Sequence, residues 1–348
     1  MDGWGLIGQE GATERLEAAL ARDRMPNGLL LVGPEGTGKR TAALTLAARL
    51  LCVRAAGGGP CGQCPPCRHR AAGTAPDLLE ITAPSGEEIR VDQVRELTRQ
   101  SCLTPQESGR RVVLLDPAEG MNPYAANALL KLLEEPPGAV HFLLISHRPD
   151  RLLPTIRSRC QTVPFRPLPG AELARWLRDR QGLAPEQADL AAHLAGGAPG
   201  RALALAGRDL VGERDAVVEG LAAVRSGGGE SVLEVASGWA RAELDTWLPH
   251  LLAWLRDLAR VRVTHGRAGS AHLANPDRGE QLHRQAQEQG FAALDRLIRA
   301  GERLAEGLSG RANSRLAAEE FLLAWRRAGA AAPLHCDRPD RGEALNEP

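Results

Sequence analysis

The chain has 348 residues, 43% hydrophobic and 25% charged, and its 43 basic residues balance 43 acidic ones. That length suits two or three domains at ~100–200 residues each, and the zero net charge argues against a broad basic face as the main route to nucleic acid, leaving local patches. No apolar run approaches the ~18 residues of a membrane span, and the N-terminus lacks a basic-then-apolar signal pattern, so a cytoplasmic location without a membrane partner is expected.

Aromatic residues make up only 3% of the chain, which leaves most of the core to Leu, Ala and Val. Only two of the basic residues are lysines, Lys39 and Lys131. Against that bias, a lysine at a phosphate-binding position argues for retained phosphate contact.

In chain order, an amphipathic helix carrying Leu16 and Leu20 comes first. The apolar run Gly28–Val32 then reads as a buried strand and residues 42–50 as a helix. Between them lies Gly33-Pro34-Glu35-Gly36-Thr37-Gly38-Lys39-Arg40-Thr41. Strand, glycine loop and helix together are the context of a P-loop: glycines turn backbone N–H groups toward an anion, and the helix N-terminus adds positive charge. The pattern G-x-x-x-x-G-K-[ST] is met except at its last place. Arg40 stands where a hydroxyl should hold Mg²⁺, and Thr41, one residue later, points ~100° away around the helix. The loop is therefore either a working ATP site or one that keeps its shape without its chemistry.

Residues 52–67 interrupt the pattern with glycines, prolines and Cys52, Cys61, Cys64 and Cys67, in C-x8-C-x2-C-x2-C spacing. Four thiolates so close can surround one tetrahedral Zn²⁺, and a closed set of four cysteines suits a structural role. Disulfides are the less favoured use in a reducing cytosol. Cys102, Cys160 and Cys336 are scattered and carry no ligand pattern.

Residues 77–81 read as a short strand, 91–100 as a helix, 111–116 as a buried strand ending in Asp116, and 125–135 as a helix stopped by Pro136-Pro137. Two more strands follow, 140–146 and 161–165. Apolar strands alternating with helices imply an α/β fold with a parallel sheet covered on both faces. Asp116 has the place of a Walker B acid that orients Mg²⁺. Pro117 follows it where a hydrolysing ATPase carries glutamate, and Glu119 needs an unusual loop to substitute. Arg40 and Pro117 are thus two independent departures from a hydrolysing site. Ser146 sits at a strand end where a sensor would touch a γ-phosphate. Arg201 opens a helix after Gly196–Gly200, in the place of a second sensor. Arg159, in Ser158-Arg159-Cys160, has the character of an arginine finger acting on a neighbour's nucleotide, although spacing alone does not separate it from Arg157 or Arg151. From residue 171 only helical patterning remains, broken at 196–200 and near 266–278, and residues from about 331 read as a disordered tail.

Four segments occur in an order that resembles the bacterial clamp-loader AAA+ family, in particular its delta-prime type. They are Pro26–Gly36, the four cysteines behind the P-loop helix, Asn127-Ala128-Leu129-Leu130-Lys131-Leu132-Leu133-Glu134-Glu135-Pro136-Pro137, and Thr155-Ile156-Arg157-Ser158-Arg159-Cys160. The resemblance is continuous from about Gly5 to Arg166. It implies a RecA-like AAA+ domain (1–167) with a zinc module (52–67), a small helical lid (168–207), a helical collar (208–330) and a tail (331–348). It also implies gamma/tau and delta subunits as partners, and a sliding clamp and primer–template DNA met through the complex. In this family the delta-prime type is a stator that usually does not hydrolyse ATP, and its Ser-Arg-Cys arginine, here Arg159, completes a neighbour's ATP site.

Two other readings compete. A gamma/tau-type motor of the same complex should carry Lys-[ST] and Asp-Glu where this chain has Lys39-Arg40 and Asp116-Pro117. A small-molecule P-loop kinase fits poorly with Ser158-Arg159-Cys160 and an all-helical C-terminal third.

Overall fold

The computed structural model describes residues 3–54, 59–83, 87–227, 229–264, 273–309 and 313–330. Glycines 57 and 58 of the cysteine-rich stretch, most of the loop expected near 266–278, Cys336 and the tail from 331 lie outside these residues. The chain divides into two compact units, Met1–Pro169 with Ala195–Ala204, and Gly170–Leu194 with Leu205 onward.

The first unit is built on five parallel strands, β1 (Gly28–Val32), β2 (Leu78–Thr82), β3 (Arg111–Asp116), β4 (Val140–Ser146) and β5 (Gln161–Pro164), in the order β2-β3-β4-β1-β5. Every residue of β3 and β4 is buried, as expected of strands covered on both faces. Side chains alternate between faces along a strand, and the core divides accordingly. Leu29, Leu31, Val112, Leu114, Leu143 and Ile145 join α1 (Glu10–Ala21) and α2 (Lys39–Leu51) on one side. Leu30, Val113, Leu115, Phe142 and Leu144 join α4 (Val91–Ser101) and α5 (Pro123–Glu134) on the other.

α2 buries Ala42, Ala43, Leu46, Ala47 and Leu50, a helical stripe whose small side chains let the helix lie close to the sheet. α5 starts cleanly because the Asn122 side chain accepts a hydrogen bond from the Ala125 N–H and Pro123 opens the first turn. One element is not foreseen from the sequence: α3 (Pro65–Ala71), a short helix carrying Cys67. Its Pro-Pro-Cys start has the composition of a turn, yet proline is well tolerated in a first helical turn.

The second unit contains α7 (Gly170–Gln181), α8 (Pro185–Leu194) and α10–α15, which run from Leu210 to Ala330. α7 and α8 are separate helices because Gly182 adopts a positive φ and Pro185 begins the next. The core of this unit is aromatic, unlike that of the first. Trp254, Trp325 and Phe321 are fully buried, and Trp239 stacks on Trp247 with ring centroids 4.7 Å apart. The Trp325 indole N–H donates to the Leu221 carbonyl at 2.9 Å, and Arg225 lies 4.2 Å over the same ring. Among the described residues no helix is long and apolar enough to cross a membrane.

Asp77 fixes the approach to β3. Its buried carboxylate accepts hydrogen bonds from the N–H groups of Gln106, Glu107 and Ser108 and from the Ser108 hydroxyl, with Arg111 3.5 Å away. Burial opposes its charge, but these donors outweigh burial and hold the carboxyl below its ordinary value. Replacing Asp77 by Ala leaves the buried Arg111 with only the Gln100 and Thr104 carbonyls and no counter-charge among the described residues, so denaturant titration should show a loss of about 3 kcal/mol. The wild-type contribution should be complete above roughly pH 4 and disappear as pH falls through the lowered folded-state value. Asp77→Ala should therefore flatten the acid limb of stability against pH.

Candidate nucleotide-type site and cysteine cluster

The carboxyl ends of β1, β3 and β4 come together, the usual place for a ligand in a parallel sheet. Val32 is in register with Ser146, and Leu115 with Leu144. The loop after β1 follows tightly. Gly33 has φ +150°, and a Cβ there would fall 2.2 Å from the Phe165 carbonyl oxygen, so only glycine fits. The Thr37 hydroxyl donates to the Pro34 carbonyl at 2.8 Å. Lys39 folds inward, its amine donating to the carbonyls of Gly33 and Pro34 at 2.6 Å each. Burial pushes its pKa down to about 8, while Asp116, Glu119 and Glu35 oppose that shift.

Arg40 turns toward the strands. Its guanidinium lies 2.9 Å from the Asp116 carboxylate and 2.9 Å from the Glu80 carboxylate, and it donates to the Thr82 hydroxyl at 3.3 Å. Thr41 is exposed. Glu119 lies near enough to oppose the lowering of the Lys39 pKa, and one of its oxygens is engaged by the backbone just after Ser146. It accepts hydrogen bonds from the His147 and Arg148 N–H groups at 2.8 and 3.1 Å and so caps the turn after β4. Ser146 is fully buried, and its hydroxyl has no partner among the described residues.

The short helix α9 (Pro199–Leu205) reaches the same loop. The Gly200 N–H donates to the Gly36 carbonyl at 2.8 Å, and a Cβ on Gly36 would meet Arg201 Cγ at 2.8 Å. Gly38 completes the turn into α2 in a left-handed conformation. The structure thus gathers Gly33, Gly36, Thr37, Gly38, Lys39, Arg40, Asp116, Ser146 and Arg201 at one end of the sheet and leaves Thr41 outside. Glu80 and Thr82 belong to this cluster without having signalled it in the sequence. Their two-residue spacing puts them on one face of β2, but only the strand order brings that face to Arg40.

Arg159 follows the short helix α6 (Pro154–Arg157). Its guanidinium pairs with Glu134 at 2.7 Å and donates to the Thr155 carbonyl at 3.1 Å, and the side chain stays 36% exposed. Arg157 and Arg151 are also exposed, with no ion pair among the described residues. Glu134, at the end of α5, has no role evident from its motif. The structure makes it the partner that holds Arg159 in place.

The four cysteines form the second cluster. One sulfur from each lies within 4.8 Å of the others, a set that could hold a metal ion. Cys52 Sγ and Cys64 Sγ are 3.9 Å apart, and the N–H groups of Cys61 and Cys64 donate to the sulfurs of Cys52 and Cys61 at 3.3 Å. The Gln63 and Cys64 N–H groups draw the Cys61 thiol down to about 6, toward the anionic form a metal requires. Burial pushes Cys67 up to about 12, so a metal must displace its proton.

The family model described as "DNA polymerase III, delta subunit" matches residues 8–169, and "DNA polymerase III, delta subunit, C terminal" matches residues 209–327. "DNA polymerase III subunit delta'" of Pseudomonas aeruginosa is 45% identical over 246 residues, covering 69% of this chain and 74% of the relative. This chain belongs to the DNA polymerase III delta-prime family. The delta-prime subunit of Escherichia coli is 34% identical, over 69% of this chain and 72% of its own length. "DNA polymerase III subunit gamma/tau" of Mycobacterium tuberculosis is 36% identical over 60% of this chain but only 37% of its own length.

If the four cysteines of this delta-prime family chain hold metal, protein purified without chelator should contain close to one metal ion per chain by elemental analysis. Cys64→Ser, at the most buried of the four, should lose that metal and open the segment around α3 to proteolysis.

Proposed function

We propose that this chain acts as the delta-prime subunit of a DNA polymerase III clamp loader, a largely non-hydrolysing stator that helps place a sliding clamp on primed DNA. The observation that carries this reading is a contrast between two arginines. Arg40 is paired with Asp116 inside the chain's own P-loop site, whereas Arg159 is held at the surface by Glu134. The first takes the carboxylate that a hydrolysing site needs for Mg²⁺. The second presents a guanidinium that can reach a phosphate outside this chain.

In this reading Arg159 enters the ATP site of an adjacent gamma/tau subunit. Charge builds on the transferring phosphoryl group in the transition state, and a guanidinium held there stabilises it. A finger supplied in trans is worth ~10³–10⁵ in rate. Residues 1–167 serve as the ATPase-type domain, 168–207 as the lid and 208–330 as the collar that meets the other subunits. Gamma/tau and delta are the direct partners, clamp and primer–template DNA are met through the complex, and the location is cytoplasmic.

The cysteine cluster is assigned a structural Zn²⁺. Zn–S bonds of about 2.3 Å place tetrahedral sulfurs roughly 3.8 Å apart, and the Cys52–Cys64 separation of 3.9 Å suits that arrangement. Four cysteine ligands leave no open coordination position, so this ion would brace the chain rather than act on substrate. The motor alternative is disfavoured by Arg40 and by Pro117.

The test is DNA-stimulated ATP hydrolysis by the reconstituted loader with Arg159→Ala in this chain alone. Turnover at the neighbouring site should fall by at least about a hundredfold, given the usual weight of such a finger, with subunit assembly unchanged on gel filtration. Unchanged turnover in an intact assembly would remove the finger from Arg159.

A further inference from the structure

Mg²⁺ in a P-loop site is held by a hydroxyl on the residue after the lysine and by the acid at the end of the neighbouring strand. Neither is free here. The hydroxyl position is Arg40, and Thr41 is exposed one place further around the helix. The strand-end acid, Asp116, has its Oδ2 2.9 Å from Arg40 Nη1. The other terminal nitrogen of the same guanidinium lies 2.9 Å from Glu80 Oε2. The residues present do not fit the metal that the fold implies.

We propose that Arg40 is the resident cation of this site. It closes the P-loop to divalent metal, so that any nucleoside di- or triphosphate it holds is held without Mg²⁺.

This inference rests on the reading of the loop as a nucleotide-type site and deepens it. Mg²⁺ needs near-octahedral oxygen ligands at roughly 2.0–2.1 Å and surrenders its water reluctantly. A guanidinium between two carboxylates occupies that place and repels a second cation. Its planar fork satisfies both acids at once, which a lysine ammonium does less well. The guanidinium is part of the chain itself, so this closure does not depend on metal supply. Its side chain remains 42% exposed, which leaves an outward edge to meet an anion. Lys39 adds a second built-in positive charge, folded against the loop carbonyls.

The test is calorimetric titration of the full-length chain with ATP, once with Mg²⁺ and once with EDTA. The wild type should give the same affinity in both, or no measurable binding in either. Arg40→Thr restores the hydroxyl and frees Asp116. It should make ATP binding stronger with Mg²⁺ by on the order of tenfold or more, the weight of a charge-assisted contact. A wild-type affinity that rises tenfold with Mg²⁺ overturns the proposal without recourse to any variant. So does Arg40→Thr that keeps the wild-type circular dichroism and melting profile yet shows no Mg²⁺ dependence. Because no partner subunit is used, these outcomes are independent of whether the chain assembles into a clamp loader.

Discussion

A parallel sheet whose central strands are apolar on both faces must be covered twice, and that requirement shapes the whole first unit. Every residue of β3 and β4 is withdrawn from water. Helices therefore lie on each side, and each connection between parallel strands has to cross over the sheet. Each crossover leaves its strand at the carboxyl end, and the loops after β1, β3 and β4 converge there. The P-loop, Asp116 and Ser146 lie on that edge, whereas Arg159 precedes β5 at the opposite, amino-terminal end of the sheet. The P-loop cluster gathers at the carboxyl end, the usual place for a ligand in a parallel sheet.

Within that edge, charge is settled internally. Arg40 answers Asp116 and Glu80, Lys39 answers the loop carbonyls, and Glu119 answers two backbone N–H groups. A site meant for rapid turnover keeps its carboxylate and lysine available for an incoming metal–nucleotide pair. This one has satisfied those groups from its own chain, which suits a part that stays rigid while others cycle. The second unit follows the same rule at a different place. Arg214 is nearly sealed from water, yet it is matched by Asp277 and Asp215.

Much of this is legible in the sequence where a signal is local. The strands at 111–116 and 140–146 are uninterrupted apolar runs of strand length, and the P-loop announces itself through glycine spacing and Lys39. The cysteine spacing likewise anticipates that the four sulfurs come together. What is not legible depends on distance along the chain. The pairing of Arg40 with Glu80 needs the strand order, which no periodicity reveals. Glu119 needs an unusual loop to substitute for the missing glutamate, and its engagement by the His147 and Arg148 N–H groups depends on the strand order. The helix α3 is hidden because prolines and cysteines read as a turn. The aromatic core of the second unit is hidden by an average, since a low overall aromatic content conceals four tryptophans concentrated among a few helices.

The contact between Glu134 and Arg159 bears on how fast such a surface can be recognised. A free arginine side chain samples many rotamers, and fixing it at the moment of association costs up to about 2 kcal/mol of entropy. Here the guanidinium is paired within the chain itself, with a carboxylate at the end of α5 and a carbonyl one turn earlier. On the proposed finger role, a partner would meet a guanidinium already oriented by this pair. The same carboxylate then competes with whatever anion the partner offers. Docking in that role would be an exchange of one counter-ion for another, sensitive to ionic strength on both sides of the exchange.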